Sequence, residues 1–214
     1  MKIEALHEFH DANYSKEWAE RFEQTTARLK LFGTILEQIE KVGFNTTSVL
    51  ELGIGPGFLA NYLLKKLPQI TYEGLDYSNS MLAIATERTE AYKERIKLTQ
   101  ADLINDVWKN RIKGIPNVIV STWAIHDLFE KKNILNVYKT AYKILPRGGL
   151  FLNGDFIKPE ESSYEYEGGR IKPSEHIELL RIAGFHNPRC IEEFEKSIEH
   201  PTTSNNYACF KAEK

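Results

Sequence analysis

The run Ser48-Val-Leu-Glu-Leu52 ends abruptly in Gly53-Ile-Gly-Pro-Gly57, and a helix-forming stretch, Phe58 to Lys66, follows at once. A short β-branched and leucine segment, a glycine turn and then a helix form the junction of a βα unit, which ties the next strand to a parallel crossover. Pro68 forces the end of that helix. The alternation then repeats: strands over Ile70–Leu75, Ile96–Gln100, Val118–Val120 and Leu150–Asn153, with helices over Ser80–Tyr92 and Asn133–Leu145. Strands alternating with helices imply an α/β fold, doubly wound, with a mainly parallel sheet covered on both faces.

Both ends of the chain depart from this rhythm. Trp18, Phe22, Leu29, Phe32, Leu36 and Ile39 recur near helical spacing and predict one N-terminal helix, capped by Ser15 and stopped at Gly43. Beyond the loop-like Glu160–Arg170, a helix over Pro173–Ala183 stops at Gly184, and the strands Arg189–Phe194 and Tyr207–Lys211 follow with no helix between them. Two strands in succession predict an antiparallel hairpin at the sheet edge. The expected organisation is a helical cap over residues 1–43 and one domain over 44–214.

The 214 residues suffice for a core that buries roughly 70% of the unfolded surface. With 28 Lys+Arg against 30 Asp+Glu, the net charge of −2 argues against a nucleic-acid partner held by charge. The apolar runs are too short to span a bilayer, and residues 1–10 carry two glutamates and no apolar stretch, so the expectation is a cytoplasmic chain without membrane attachment. Cys190 and Cys209 lack ligand spacing, fall on the two terminal strands and are expected to be free thiols near each other.

The glycine turn sits where a doubly wound sheet binds ligands. Asp76 follows Gly57 by nineteen residues, at the end of the second strand, where a carboxylate can accept both hydroxyl hydrogens of a ribose. Asp102 closes the third strand, placed for an adenine amino group or for a turn of its own. The three positions describe a pocket for a nucleoside with an anionic tail.

Together, Glu51-Leu-Gly-x-Gly-x-Gly57, Gly74-Leu-Asp-Tyr-Ser78 with Met81, Gln100-Ala-Asp102 and Leu145-Pro-Arg-Gly-Gly149 resemble the successive motifs of the class I S-adenosylmethionine-dependent methyltransferases. The resemblance covers about residues 44 to 214. It implies a seven-stranded sheet with an antiparallel last strand, and S-adenosylmethionine as cofactor, leaving S-adenosylhomocysteine. Carried over by position, Glu51, Gly53, Gly55 and Gly57 would surround the methionine moiety and Asp76 the ribose. Asp102 and Leu103 would meet the adenine edge, Tyr77 and Met81 its faces, and Thr122 and Trp123 would border the methyl group. Asn117 departs from the aspartate that commonly opens the fourth strand, a mostly structural position. A nicotinamide-binding domain usually reads Gly-x-Gly-x-x-Gly; here position 58 is Phe.

Methyl transfer from a sulfonium needs alignment and, for a hydroxyl or ammonium acceptor, a base. His126, after the fourth strand, is the candidate base, or else a histidine that packs and hydrogen-bonds without moving a proton. Asp155 points to the same region or caps a turn. Tyr14 resembles a tyrosine that closes over the cofactor in relatives, and Arg28 steers the cofactor carboxylate or lies exposed on the surface. Tyr164, Tyr166 and a hinge at Gly168-Gly169 are expected to help enclose the acceptor, whereas Trp18 and Phe22 are expected to pack. No carboxylate cluster suggests a metal, and no Asn-Pro-Pro-Tyr or Pro-Cys nucleophile occurs. A small-molecule acceptor follows, with a protein or peptide acceptor, a nicotinamide oxidoreductase or a cofactor-binding module without turnover as alternatives.

Overall fold

The computed structural model describes residues 8–21, 26–42, 47–105, 107–194 and 206–214. Seven strands form one sheet: β1 (Ser48–Leu52), β2 (Thr71–Asp76), β3 (Ile96–Gln100), β4 (Val118–Thr122), β5 (Leu150–Phe156), β6 (His186–Phe194) and β7 (Tyr207–Glu213). Their order is β3-β2-β1-β4-β5-β7-β6, with β3 to β5 across the sheet parallel and β7 antiparallel to both neighbours. The order reverses beside β1, so the C-terminal ends of β1 and β4 open a crevice there.

Successive residues of a strand face opposite sides, and the core divides accordingly. Leu50, Leu52 and Ile119 join α5 (Lys131–Ile144) and α6 (Pro173–Ala183) in one buried cluster. Val49, Val118 and Val120 join α3 (Phe58–Lys66) and the N-terminal helix α2 (Thr26–Glu40) in the other. Asn117 ties β4 to β1 at the far end, its Oδ1 accepting from Ser48 N at 2.8 Å, which gives that departure from the family pattern a structural role.

The N-terminus differs from the single helix expected over 15–43. Two helices form, α1 (Ala12–Arg21) and α2, and Ser15 lies inside α1. Asp11 caps α1, its Oδ1 accepting from Tyr14 N at 2.8 Å, while the buried Ser15 hydroxyl donates to Phe9 O at 2.8 Å. α1 and the 3-10 turn Glu8–His10 pack on α4 (Asn79–Arg88), over the crevice. α2 instead lays Leu31, Phe32, Ile35 and Ile39 into the core beside β1. Phe22 and Gly43 lie outside the described residues. The terminal hairpin forms as expected, with Cys190 beside Phe210 and Glu192 beside Cys209 in register, and neither cysteine forms a disulfide among the described residues.

Candidate active site

The turn after β1 is fixed by the end of β2. Gly53 N and Ile54 N donate to Leu75 O at 2.8 and 2.9 Å, and Gly55 N donates to Asp76 Oδ2 at 2.7 Å. Gly53 (φ +71°) and Gly55 (φ +52°) adopt left-handed backbone, which L side chains resist. A Cβ on Gly53 would stand 2.3 Å from Ala124 Cβ, so the turn lies directly against the segment after β4. A Cβ on Gly55 would meet nothing within 4 Å, because that face opens on a cavity of about 570 Å³.

Of the residues singled out in the sequence, Gly53, Gly55, Asp76, Tyr77, Met81, Asp102, Leu103, Thr122, Trp123 and His126 line this one cavity. Asp76 Oδ1 also accepts from Ser78 N at 2.8 Å, so its carboxylate braces the glycine turn and the start of α4 together. Asp102 spends both oxygens on the turn that follows, accepting from Ile104 N at 2.7 Å and from Asn105 Nδ2 at 2.7 Å. Glu51 and Gly57 stand behind the turn rather than on the cavity wall. Glu51 is buried and accepts from the Tyr72 hydroxyl at 2.7 Å. Burial, helped by the charge of Asp76, pushes its carboxyl up to about 8, against the bonds from Tyr72 and Thr122, so it is mostly protonated at neutral pH.

At the other end, the 3-10 turn Ile125–Leu128 places His126 over β5. Its Nδ1 lies 2.7 Å from Asp155 Oδ1, its backbone N donates to Asp155 Oδ2 at 3.0 Å, and Nε2 lies 3.3 Å from Asp127 Oδ1. Asp155 is fully buried behind the cavity wall and bonds two of its residues, His126 and Phe156, whose backbone N donates to Asp155 Oδ1 at 2.9 Å. With Nδ1–H bonded to Asp155, Nε2 carries the lone pair. Burial lowers the imidazole pKa, but the charge and hydrogen bond of Asp155 outweigh it and hold it above 6.5.

Other side chains land differently from expectation. Arg28 is not a surface residue: it is 7% exposed, lines the cavity, and carries its guanidinium 4.7 Å from the Phe58 ring and 5.1 Å from Trp123. Burial and the charge of Arg88 lower its pKa to about 10, so it remains a cation. Trp18 joins the lining, whereas Tyr14 does not; Tyr14 packs edge-on to Phe9 at 5.4 Å and bonds Glu8. Tyr164 and Tyr166 also stay off the wall. Gly169 is no evident hinge: a Cβ there would sit 1.6 Å from His126 O, so it is packed against the histidine turn.

His10, Phe156 and Tyr207 are wall residues that no motif in the sequence marks. Phe156 and Tyr207 are register partners across β5 and β7, 51 positions apart in the chain, which no local pattern reveals. His10 arrives because Ser78 and Ser80 hydroxyls donate to the carbonyls of Phe9 and His10. The ring sits 4.6 Å from Tyr77, and its buried Nε2 has no hydrogen-bond partner among the described residues.

Residues 49–149 match the family described as methyltransferase domain. Over 100 residues the chain is 36% identical to the trans-aconitate 2-methyltransferase of Mycobacterium tuberculosis, an alignment covering 46% of this chain and 34% of that protein. Among solved structures, PigF with SAH superposes with a TM-score of 0.69 at 17% identity, covering 96% of this chain and 60% of that one. The CurJ carbon methyltransferase superposes at 0.71 with 16% identity, covering 96% and 58%. The chain thus spans about a third of its curated relative's length and three fifths of those solved chains.

Proposed function

Since residues 49–149 belong to the methyltransferase-domain family, within a chain that takes the class I S-adenosylmethionine-dependent methyltransferase fold, we propose that the protein methylates a small molecule bound in this cavity. The observation that carries the proposal is the cavity itself, which joins the Asp76-braced glycine turn at one end to the His126–Asp155 pair at the other.

The residues present fit S-adenosylmethionine. The bare face of Gly55 leaves room for a ligand against the backbone, and the buried Arg28 offers a cation for a carboxylate. His10 Nε2 is a buried polar atom awaiting a partner beside Tyr77. Asp76 would take the ribose hydroxyls, Tyr77 and Met81 would flank adenine, and Leu103 and Asp102 would border its edge. When bound, the cofactor supplies a sulfonium methyl group already activated for in-line displacement.

The chain's own work is then alignment, exclusion of water and the handling of one proton. Trp123, Phe156 and Tyr207 wall the end beyond Thr122 with rings. His126 Nε2 would accept the acceptor's proton, Asp155 would hold the ring in its tautomer, and Asp127 would pair with the imidazolium so formed. Asp155 is thus a positioning residue.

The name of the mycobacterial relatives raises a polycarboxylate acceptor. Charge in the cavity speaks against it, since the wall carries one arginine against Asp76, Asp102 and Asp127. Labelled S-adenosylmethionine offered with a panel of small acceptors tests the proposal: label should pass to an acceptor, and the His126→Ala chain should lose about 10²–10⁴-fold in rate. Binding of NAD without binding of S-adenosylhomocysteine would favour an oxidoreductase instead. Cofactor binding without turnover on any acceptor would favour a binding module.

A further inference from the structure

Five of the residues that line the cavity, Phe9, His10, Trp18, Arg28 and Phe32, lie outside the segment that matches the methyltransferase domain. The family match therefore leaves open what they recognise. His10 carries a nitrogen, Nε2, that is buried and bonds nothing among the described residues. A polar atom left unmet in this way is costly. The backbone around it is held: Ser80 Oγ donates to His10 O at 2.9 Å, and Ser78 Oγ donates to Phe9 O. Ser78 N in turn donates to Asp76 Oδ1 at 2.8 Å, so two hydrogen bonds join this turn to the carboxylate at the end of β2. The imidazole stands 4.6 Å from the Tyr77 ring, edge to face. Its torsion about Cβ–Cγ is soft, so the ring can present Nε2 to a molecule in the cavity without disturbing the backbone bonds.

Asp76 decides what such a molecule still needs. A carboxylate only accepts, so two ribose hydroxyls that give it their hydrogens keep oxygen lone pairs without a donor. An imidazole nitrogen beside the same carboxylate supplies one, since Nε2 carries hydrogen in one neutral tautomer and in the imidazolium. Resting on the methyltransferase reading, we propose that His10 completes the ribose site from the N-terminal turn, its Nε2–H donating to one of the two ribose hydroxyl oxygens of the bound S-adenosyl cofactor. His10 is then a specificity residue that favours a ribonucleoside over its deoxy counterpart. The turn that carries it is seated on the cofactor as well as on α4.

Isothermal titration with S-adenosylhomocysteine compares the parent chain with two variants. His10→Phe keeps a ring beside Tyr77 but no nitrogen, and His10→Gln places an amide nitrogen as many bonds from Cα as Nε2. His10→Phe should bind about three- to tenfold more weakly, and His10→Gln should recover most of that loss. Three analogues locate the contact: the 2′-deoxy and 3′-deoxy forms of S-adenosylhomocysteine, and the 3-deaza form, which lacks adenine N3. The loss in His10→Phe should vanish with one deoxy form and persist with the 3-deaza form, whereas a turn merely displaced by the substitution would weaken every ligand alike. Equal affinity in the parent and His10→Phe, a loss undiminished with both deoxy forms, a loss abolished with the 3-deaza form, or a His10→Gln chain as weak as His10→Phe overturns the assignment. Failure of S-adenosylhomocysteine to bind the parent would instead count against the methyltransferase reading itself.

Discussion

His126 is bonded twice to one buried carboxylate, through Nδ1 and through its own backbone N–H, so ring orientation and turn geometry depend on the same group. Its pKa lies above 6.5 in the folded chain, so the rate should rise with pH through an apparent pKa above 6.5 in kcat/KM. Asp155→Asn removes the charge that raises it, so that limb should move to lower pH while turnover falls; a limb that stays in place would take Asp155 out of the mechanism. Glu51 carries a second pH signature. Its carboxyl titrates near 8 when folded against an ordinary 4.5, so between those values the folded chain holds a proton that the unfolded chain has released. Stability from this group is complete below about 4.5 and is lost as pH rises through 8. Urea unfolding of Glu51→Gln across that window should show a flatter pH dependence than the parent chain.

Among the elements, the turn after β1 tolerates change least. Gly53→Ala forces a left-handed alanine, costing about 1–2 kcal/mol, before its Cβ meets Ala124. We expect a lower urea midpoint together with weakened S-adenosylhomocysteine binding, since turn and cavity wall are one structure. The Glu8–His10 turn and α1 should gain hydrogen-exchange protection when that ligand binds, because Ser78, which with Ser80 holds the turn, is itself bonded to Asp76. How legible these elements are depends on the range of the forces that shape them. The glycine turn, Asp76 and the βα alternation stand in the sequence because each is decided by a few neighbouring residues. The separate packing of α1 on α4 and of α2 on α3 and β7 does not, since the apolar spacing runs on through Trp18 and Phe32. Nor does the burial of Arg28, which depends on rings from α1, α3 and the segment after β4.

At the scale of the whole molecule, the seven strands, their mainly parallel pairing and the terminal hairpin stand in the sequence as alternating segments, whereas the order of the strands across the sheet does not. What the sequence left open is where the acceptor end lies, because Phe156 and Tyr207 meet only through the pairing of β5 with β7. Among the described residues no helix is long and apolar enough to cross a membrane. In the proposed function this cavity, lined by Asp76, holds the methyl donor's nucleoside on that carboxylate. Isothermal titration with S-adenosylhomocysteine tests it most directly, comparing the parent chain with an Asp76→Ala variant whose circular dichroism is unchanged. Saturable one-to-one binding to the parent is expected, with a loss of roughly 1–3 kcal/mol in the variant. No binding to the parent, or equal affinity in the two chains, would contradict it.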